Sequence, residues 1–337
     1  MKTVLKAGDL VEVKSIDEIF LTLDSNGALD NLPFMPEMIG YCGRQFRVSR
    51  KVVQAVIDSA GIFGYSEAYV RAFKNDDVVI LEDLRCSGEN HDGCKRGCAI
   101  FWKEAWLRKA DNNGMTDSKY YHHNYFSGQL KTITDKGKYF CQSTQFRQAT
   151  YELTYLQRMK NLVKSIKVGN YSIIRLLKIL SVWFVWKLRR KLFGEYPRGN
   201  RKNTPDVKLD LQEGHLVEVK QLSEIIETLD TRGRNRGLHF CPEMRKYCGQ
   251  KLIVKARADK IISEGTGDMR QIPNTVTLEN VFCDSAYFAF GGCPRSDFLY
   301  WREVWLKKVS DSNEKSLTNH IRVNKLIPRY SNGHQSV

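Results

Sequence analysis

Apolar and polar residues alternate in LVEV at residues 10–13, and the same tetrapeptide recurs at 216–219. Period-two alternation predicts a short half-buried strand at each place. The period then changes: in SIDEIFLTLD, apolar residues fall at Ile16, Ile19, Phe20 and Leu23, the spacing of one helix face, and residues 24–27 supply turn chemistry that closes it. FRV and VVILEDL (78–84) are again β-rich runs between polar turns. A different pattern fills YSIIRLLKILSVWFVWKLRRKLF (171–193). Ser172, Arg175, Lys178 and Ser181 fall near one helical face, with Ile173, Ile174, Leu176, Leu177 and Leu180 on the others. The uninterrupted apolar run from Ile179 to Trp186 is too short to span a bilayer. The prediction is a basic amphipathic helix whose Trp183 and Trp186, together with Lys187, Arg189, Arg190 and Lys191, suit the surface of an anionic leaflet. The alternative is a helix that docks on its own chain or on a second subunit, its basic cluster simply solvated.

The strand-rich pattern occurs twice. Residues 8–48 align without a gap to residues 214–254, about half of the positions being identical. Further on, VVILEDLRC matches TVTLENVFC (275–283), and CAIFWKEAWLRK (98–109) matches DFLYWREVWLKK (297–308). The expected organisation is a first Cys-rich β module (1–110), an insert carrying the basic helix and a flexible Pro/Gly-containing linker (111–213), a second module (214–310), and a polar, mobile tail (311–337). This is a mainly β, α+β fold class with a helical insert.

Charge narrows the partners. A chain of 337 residues with net charge +15 favours an acidic partner: a nucleic acid, an anionic lipid surface or an acidic ligand. The first residues lack the apolar run of a secretory signal, so a cytoplasmic location is expected, with peripheral attachment at the inner membrane surface as an extension. In a reducing compartment the nine cysteines are read as buried thiols, metal ligands or reactive groups rather than a disulfide framework.

The densest chemistry is CSGENHDGCKRGC (86–98). Cys86, His91, Cys94 and Cys98 supply three thiolates and an imidazole around glycine turns, a donor set that suits tetrahedral zinc in a structural role. Cys42, from the Tyr-Cys-Gly turn, is a substitute for His91. An iron-sulfur cluster is the minor alternative, and a loop merely packed beneath Trp102 and Trp106 is the bland one. In the second copy Cys283, Cys293 and Cys248 match Cys86, Cys94 and Cys42, but Asp297 replaces Cys98 and no histidine matches His91. That copy is expected to have replaced the metal with Tyr287, Phe288 and Phe290 as core. Glu37 and Glu243, each in a Pro-Glu-Met stretch, read as acids in the first turn of a short helix rather than as general acid/base groups. Trp102/Trp106 and Trp301/Trp305 read as core rather than as stacking platforms. Cys141 beside His122 or His123 is a weaker nucleophilic pair.

The G-x-L-V-E-V opening and the module size resemble SH3-like, partly open barrels of the KOW or Mind-bomb type. The fuller series, LPFMPEM, YCG, HDGC and FWKEAW, resembles a group of uncharacterised bacterial Cys-rich proteins. The resemblance implies a duplicated small barrel and carries over no catalytic residue. The expected function is therefore a non-catalytic, metal-stapled binding or adaptor protein with an unknown protein partner or acidic ligand. The alternatives are a metal- or Cys-dependent enzyme tailoring a glycan or secondary metabolite, and a nucleic-acid-binding protein, which no motif supports.

Overall fold

The computed structural model describes residues 4–57, 69–110, 126, 128–194, 197–283 and 293–309. In the first copy the strands are β1 (Leu10–Val13), β2 (Ala28–Leu29), β3 (Leu32–Pro33), β4 (Gln45–Lys51), β5 (Ala55–Ile57), β6 (Tyr69–Phe73), β7 (Val78–Arg85), β8 (Ala99–Lys103) and β9 (Leu107–Lys109). Five of them form an antiparallel sheet in the order β8-β7-β4-β1-β9, so the first strand lies between partners that come much later in the chain. The insert adds β10 (Thr150–Glu152), and the second copy runs β11 (Leu216–Val219), β12 (Arg234–Asn235), β13 (Leu238–His239), β14 (Lys251–Arg257), β15 (Lys260–Ile262), β16 (Met269–Gln271), β17 (Thr275–Phe282), β18 (Phe298–Arg302) and β19 (Leu306–Lys308). Its sheet order, β18-β17-β14-β11-β19, repeats the first. Both sheets curl into half-barrels, and their irregularities also repeat. β4 shifts register between Val48 and Arg50 and β14 between the equivalent Val254 and Ala256. Asp83 in β7 and its counterpart Asn280 in β17 both take a positive φ, which Asp and Asn tolerate better than most side chains.

Each core is built around the tryptophans. Trp102, Trp106, Trp301 and Trp305 are fully buried, on a strand and the 3-10 turn that follows it rather than on one helix. Trp106 donates from Nε1 to Thr22 Oγ1 at 3.0 Å, and Trp305 donates to the equivalent Thr228 Oγ1 at 3.0 Å. Thr22 and Thr228 thus satisfy polar atoms that would otherwise be costly to bury. The helix read at residues 16–23 is shorter than its apolar spacing suggests. α1 (Ile16–Phe20) has a capping box in which Glu18 N donates to Ser15 Oγ and Ser15 N donates to Glu18 Oε2. Asp24 then accepts from the Asn26 and Ala28 amides, starting the turn into the β2–β3 hairpin.

The insert packs on the first module through side chains that imitate backbone. α2 (Gln142–Ala149) presents Gln142, whose amide accepts from Phe101 N at 2.8 Å and donates to Phe101 O at 2.8 Å, occupying the edge of β8. β10 pairs with β6. After α3 (Tyr155–Lys167), Asn170 makes the same exchange with Lys51 N and O, at 2.9 and 2.7 Å. α4 (Ile173–Phe193) follows, begun by Ser172, whose hydroxyl accepts from Arg175 N. The stretch whose composition argues for a flexible linker is held to the second module. Gly199 N donates to Asp230 O, Arg201 N to Leu229 O and Asn235 Nδ2 to Pro205 O. Gly199 has no room for a side chain, since a Cβ there would lie 2.0 Å from Leu229 O. α5 (Leu222–Ile226) repeats α1.

A buried carboxylate fixes how each half-barrel is entered. Glu104 accepts from Leu5 N and pairs with Lys51, which is fully buried. At the equivalent position Glu303, also fully buried, accepts from the amides of Leu209, Asp210 and Leu211 and from Arg257 Nη1 at 3.1 Å. Removing one partner of a buried charged network costs about 3–5 kcal/mol. Glu303→Ala is therefore expected to lower the urea unfolding midpoint by an amount corresponding to that loss, while Lys307→Ala, which breaks only an exposed pair with Glu224, leaves the midpoint close to that of the wild-type chain.

Candidate functional site

The Cys-rich loop is closed at its neck by Cys86 N donating to Cys98 O at 2.9 Å, directly after β7 and directly before β8. Inside it, His91 N and Gly93 N both donate to Gly88 O, and Cys94 N donates to His91 O. Gly88 has φ +75°, and a Cβ there would stand 2.0 Å from Cys94 O, so the turn admits no other residue. This fold turns His91 inward, leaving it 2% exposed.

His91 meets a residue from far along the chain. The 3-10 helix Pro36–Tyr41 carries Glu37 in its first turn, as read from the sequence. Its carboxylate Oε1 lies 2.9 Å from His91 Nδ1 and 3.8 Å from Cys86 Sγ, and His91 Nε2 lies 3.2 Å from Phe140 O. The donor atoms of Glu37, Cys86 and His91 all lie within 4.8 Å of one another, the one such group of three among the described residues. Burial pushes the Glu37 carboxyl up, but the bond to His91 outweighs it and holds the group below its ordinary range. For His91 burial works downward, and the bond and charge of Glu37 overcome it, so the imidazole is raised. Burial raises the Cys86 thiol, assisted by the Glu37 charge. Cys86 and His91 line a small cavity of about 30 Å³, shared with Cys98, Cys141 and Ile262.

The other sequence candidates go elsewhere. Cys42 is buried in the first module's core, where desolvation pushes its thiol up to about 12. Cys94 and Cys98 serve the contact between modules. Cys94 Sγ accepts from Ile262 N at 3.3 Å and belongs to the core of the second module. Cys293, its counterpart, accepts from Val56 N at 3.4 Å and belongs to the core of the first. Val56 and Ile262 are themselves equivalent positions, so the two loops are exchanged reciprocally, as across a two-fold axis. Their arginines follow: Arg96 Nη1 donates to Ile262 O at 3.2 Å, and Arg295 Nη1 to Val56 O at 3.0 Å. Both pair with the buried Glu264, at 3.3 and 2.7 Å. Arg295 also meets Asp297, the residue that replaces Cys98. Cys98 lies in this cluster, where burial pushes it up to about 12 in spite of Arg96. One bond has no twin, because Lys95 N donates to Lys260 O and the corresponding residue, Pro294, has no N–H.

In the second copy Glu243 and Cys283 are buried where Glu37 and Cys86 stand. The stretch with Tyr287, Phe288 and Phe290 lies outside the described residues, as do His122 and His123. Cys141 is buried at the start of α2, on the wall of the cavity. Cys248 is half-buried against the second core.

The predicted basic helix forms over 21 residues. Trp186 is buried, Trp183 is partly buried with Lys187 Nζ 4.9 Å from its ring, and Lys187, Arg189, Arg190 and Lys191 are exposed. Arg175, with Tyr171 beneath it at 5.4 Å, and Lys178 border a groove of about 580 Å³ between α4 and both modules. No helix among the described residues is long and apolar enough to cross a membrane. Compared with family models, with curated proteins and with solved structures, the chain matches none of them.

Two features escape a sequence reading that treats each copy alone. The Glu37–His91 contact joins residues that share no local pattern. The reciprocal exchange leaves a trace, the C-x-R of Cys94–Arg96 repeated at Cys293–Arg295 while the histidine is lost. Arg295→Ala is expected to raise amide hydrogen exchange at Val56 and Ile262 by at least about tenfold, because it strips a buried charge of its partner. Arg108→Ala, which breaks exposed pairs with Glu12 and Glu18, leaves both amides unchanged.

Proposed function

We propose that the chain is a non-catalytic binding protein whose joined half-barrels form a rigid platform, with α4 as the element that attaches it to an anionic lipid surface. The observation that carries this reading is the outer face of α4. Ile174, Leu177, Val185, Leu188 and Leu192 recur at helical spacing and are all more than half exposed, as are Phe184 and Phe193 beside them. Soluble proteins rarely leave such an apolar stripe uncovered. The charge is equally one-sided: residues 155–193, which include α3 and α4, hold ten Lys and Arg and no Asp or Glu. Apolar side chains entering the acyl boundary, with basic groups at headgroup level, are the two components of interfacial helix binding, each basic group near the surface contributing about 1 kcal/mol.

The modules suit a binding role. Their curled five-stranded sheets are compatible with the SH3-like partly open barrel, an architecture of short strands around loops. The other buried thiols favour a packing role over reactivity, since burial raises Cys42, Cys98, Cys141 and Cys293 and disfavours the nucleophilic thiolate.

Co-sedimentation with vesicles tests the reading. The full chain is expected to pellet with vesicles containing about one-third phosphatidylserine and to be released as salt rises. Phe184→Glu combined with Leu188→Glu should weaken partitioning by at least about tenfold by placing charges in the apolar stripe. Arg189→Glu combined with Arg190→Glu should do so mainly at low salt. Retention of the wild-type chain in the supernatant, or salt-sensitive binding to RNA or DNA with none to vesicles, overturns it.

A further inference from the structure

The Glu37–Cys86–His91 cluster has chemistry that membrane attachment does not use. We propose that these three side chains bind one zinc-class cation per chain, with the fourth coordination position directed at the small cavity beside them. The imidazole sets the geometry. Nε2 faces Phe140 O, which only accepts, so Nε2 carries the hydrogen. A neutral imidazole has one N–H, and Nδ1 therefore points a lone pair at a carboxylate oxygen 2.9 Å away. A positive charge must lie between them. Orientation of a ligating histidine by a backbone carbonyl on its far nitrogen is the usual arrangement behind a metal ligand.

Three further observations favour a metal ion over a proton. Cys86 Sγ lies 3.8 Å from the same Glu37 oxygen, bringing a sulfur atom into the group beside nitrogen and oxygen. Glu37 Oε2 is buried and has no hydrogen-bond partner. The cavity has about 30 Å³ of space beside Cys86 and His91, room for a water or one small ligand. With bonds of about 2.0 Å to nitrogen and oxygen and about 2.3 Å to sulfur, tetrahedral donors stand about 3.3–3.5 Å apart, so Nδ1 and the carboxylate need open by only about 0.4 Å. Thiolate and carboxylate together neutralise a divalent ion. A mixed N, S, O set selects zinc-like ions over magnesium or calcium. Three protein ligands and one open position differ from the closed, thiolate-rich staple that the loop's spacing suggests, because Cys94 is committed to the module contact and Cys98 stands outside the group of donor atoms within 4.8 Å of one another.

Stoichiometry and spectroscopy of the full chain decide this. After chelator treatment, the protein is expected to take up about one Zn²⁺ or Co²⁺ per chain. The cobalt form should show thiolate-to-metal charge transfer and the strong visible absorption of a four-coordinate ion. Cys86→Ser should abolish the charge-transfer band, and Glu37→Gln and His91→Gln should each weaken the metal at least about tenfold. Cys293→Ser should leave it unchanged. If a variant fails to fold, the wild-type chain still decides: zinc should shift the ¹⁵N resonance of His91 Nδ1 and leave Nε2 protonated. Uptake below about one-tenth of an equivalent, cobalt without charge transfer, about two metals per chain, or unaltered affinity in folded Glu37→Gln and His91→Gln variants overturns the proposal.

Discussion

The two half-barrels are held by the burial of a pair of guanidinium groups. An arginine cannot shed its charge on burial, so Arg96 and Arg295 must find acceptors at the module contact or leave it unformed. They find a backbone carbonyl each, at Ile262 and Val56, and converge on Glu264. Because a planar guanidinium accepts only a narrow range of approach, these contacts fix orientation as well as proximity. The thiols of Cys94 and Cys293 complete the seam by filling the other module's core while satisfying one amide each. A rigid relation between the sheets follows, and with it a defined position for everything hung upon them.

That rigidity gives the insert its role. Gln142 and Asn170 bind it to the first module through paired amides, and residues 199–211 are bound to the second by backbone contacts. Helix α4 therefore leaves one module and returns to the other, with its apolar and basic outer face held out from a fixed base. The same seam surrounds the Cys-rich loop, whose outer arm reaches the neighbouring module while its inner turn holds His91 against Glu37. A displacement of His91 at the inner turn would be felt at the module contact only a few residues along the chain.

Much of this architecture was legible in local patterns. The duplicated alternation of LVEV, the Ser15–Glu18 cap and the paired tryptophans determine their surroundings through short-range geometry and apolar burial, and they are found where the pattern puts them. The partner of His91 was not legible, because Glu37 approaches it only once β4 and β7 have paired and brought the 3-10 helix over the loop. Composition misled for residues 197–208, where prolines, glycines and charges signal flexibility yet backbone and side-chain amides hold the chain down. Crowded cysteines likewise suggested one cluster. Their thiols divide among a core, a module contact and the Glu37 group because neighbouring residues in a tight turn point in different directions.

The exchanged loops also bear on how the two copies came to differ. In an assembly of identical chains, symmetry forces every substitution to appear on both sides of the axis, so a loop cannot be altered in one place and kept in another. Joining the copies in one polypeptide removes that obligation while preserving the symmetric seam. His91 and Cys98 can persist in one loop while Asp297 supplies Arg295 with a carboxylate in the other. The covalent link thus lets the two loops of a closed pair diverge, one keeping His91 and Cys98 while its twin carries Asp297, with both still holding the seam.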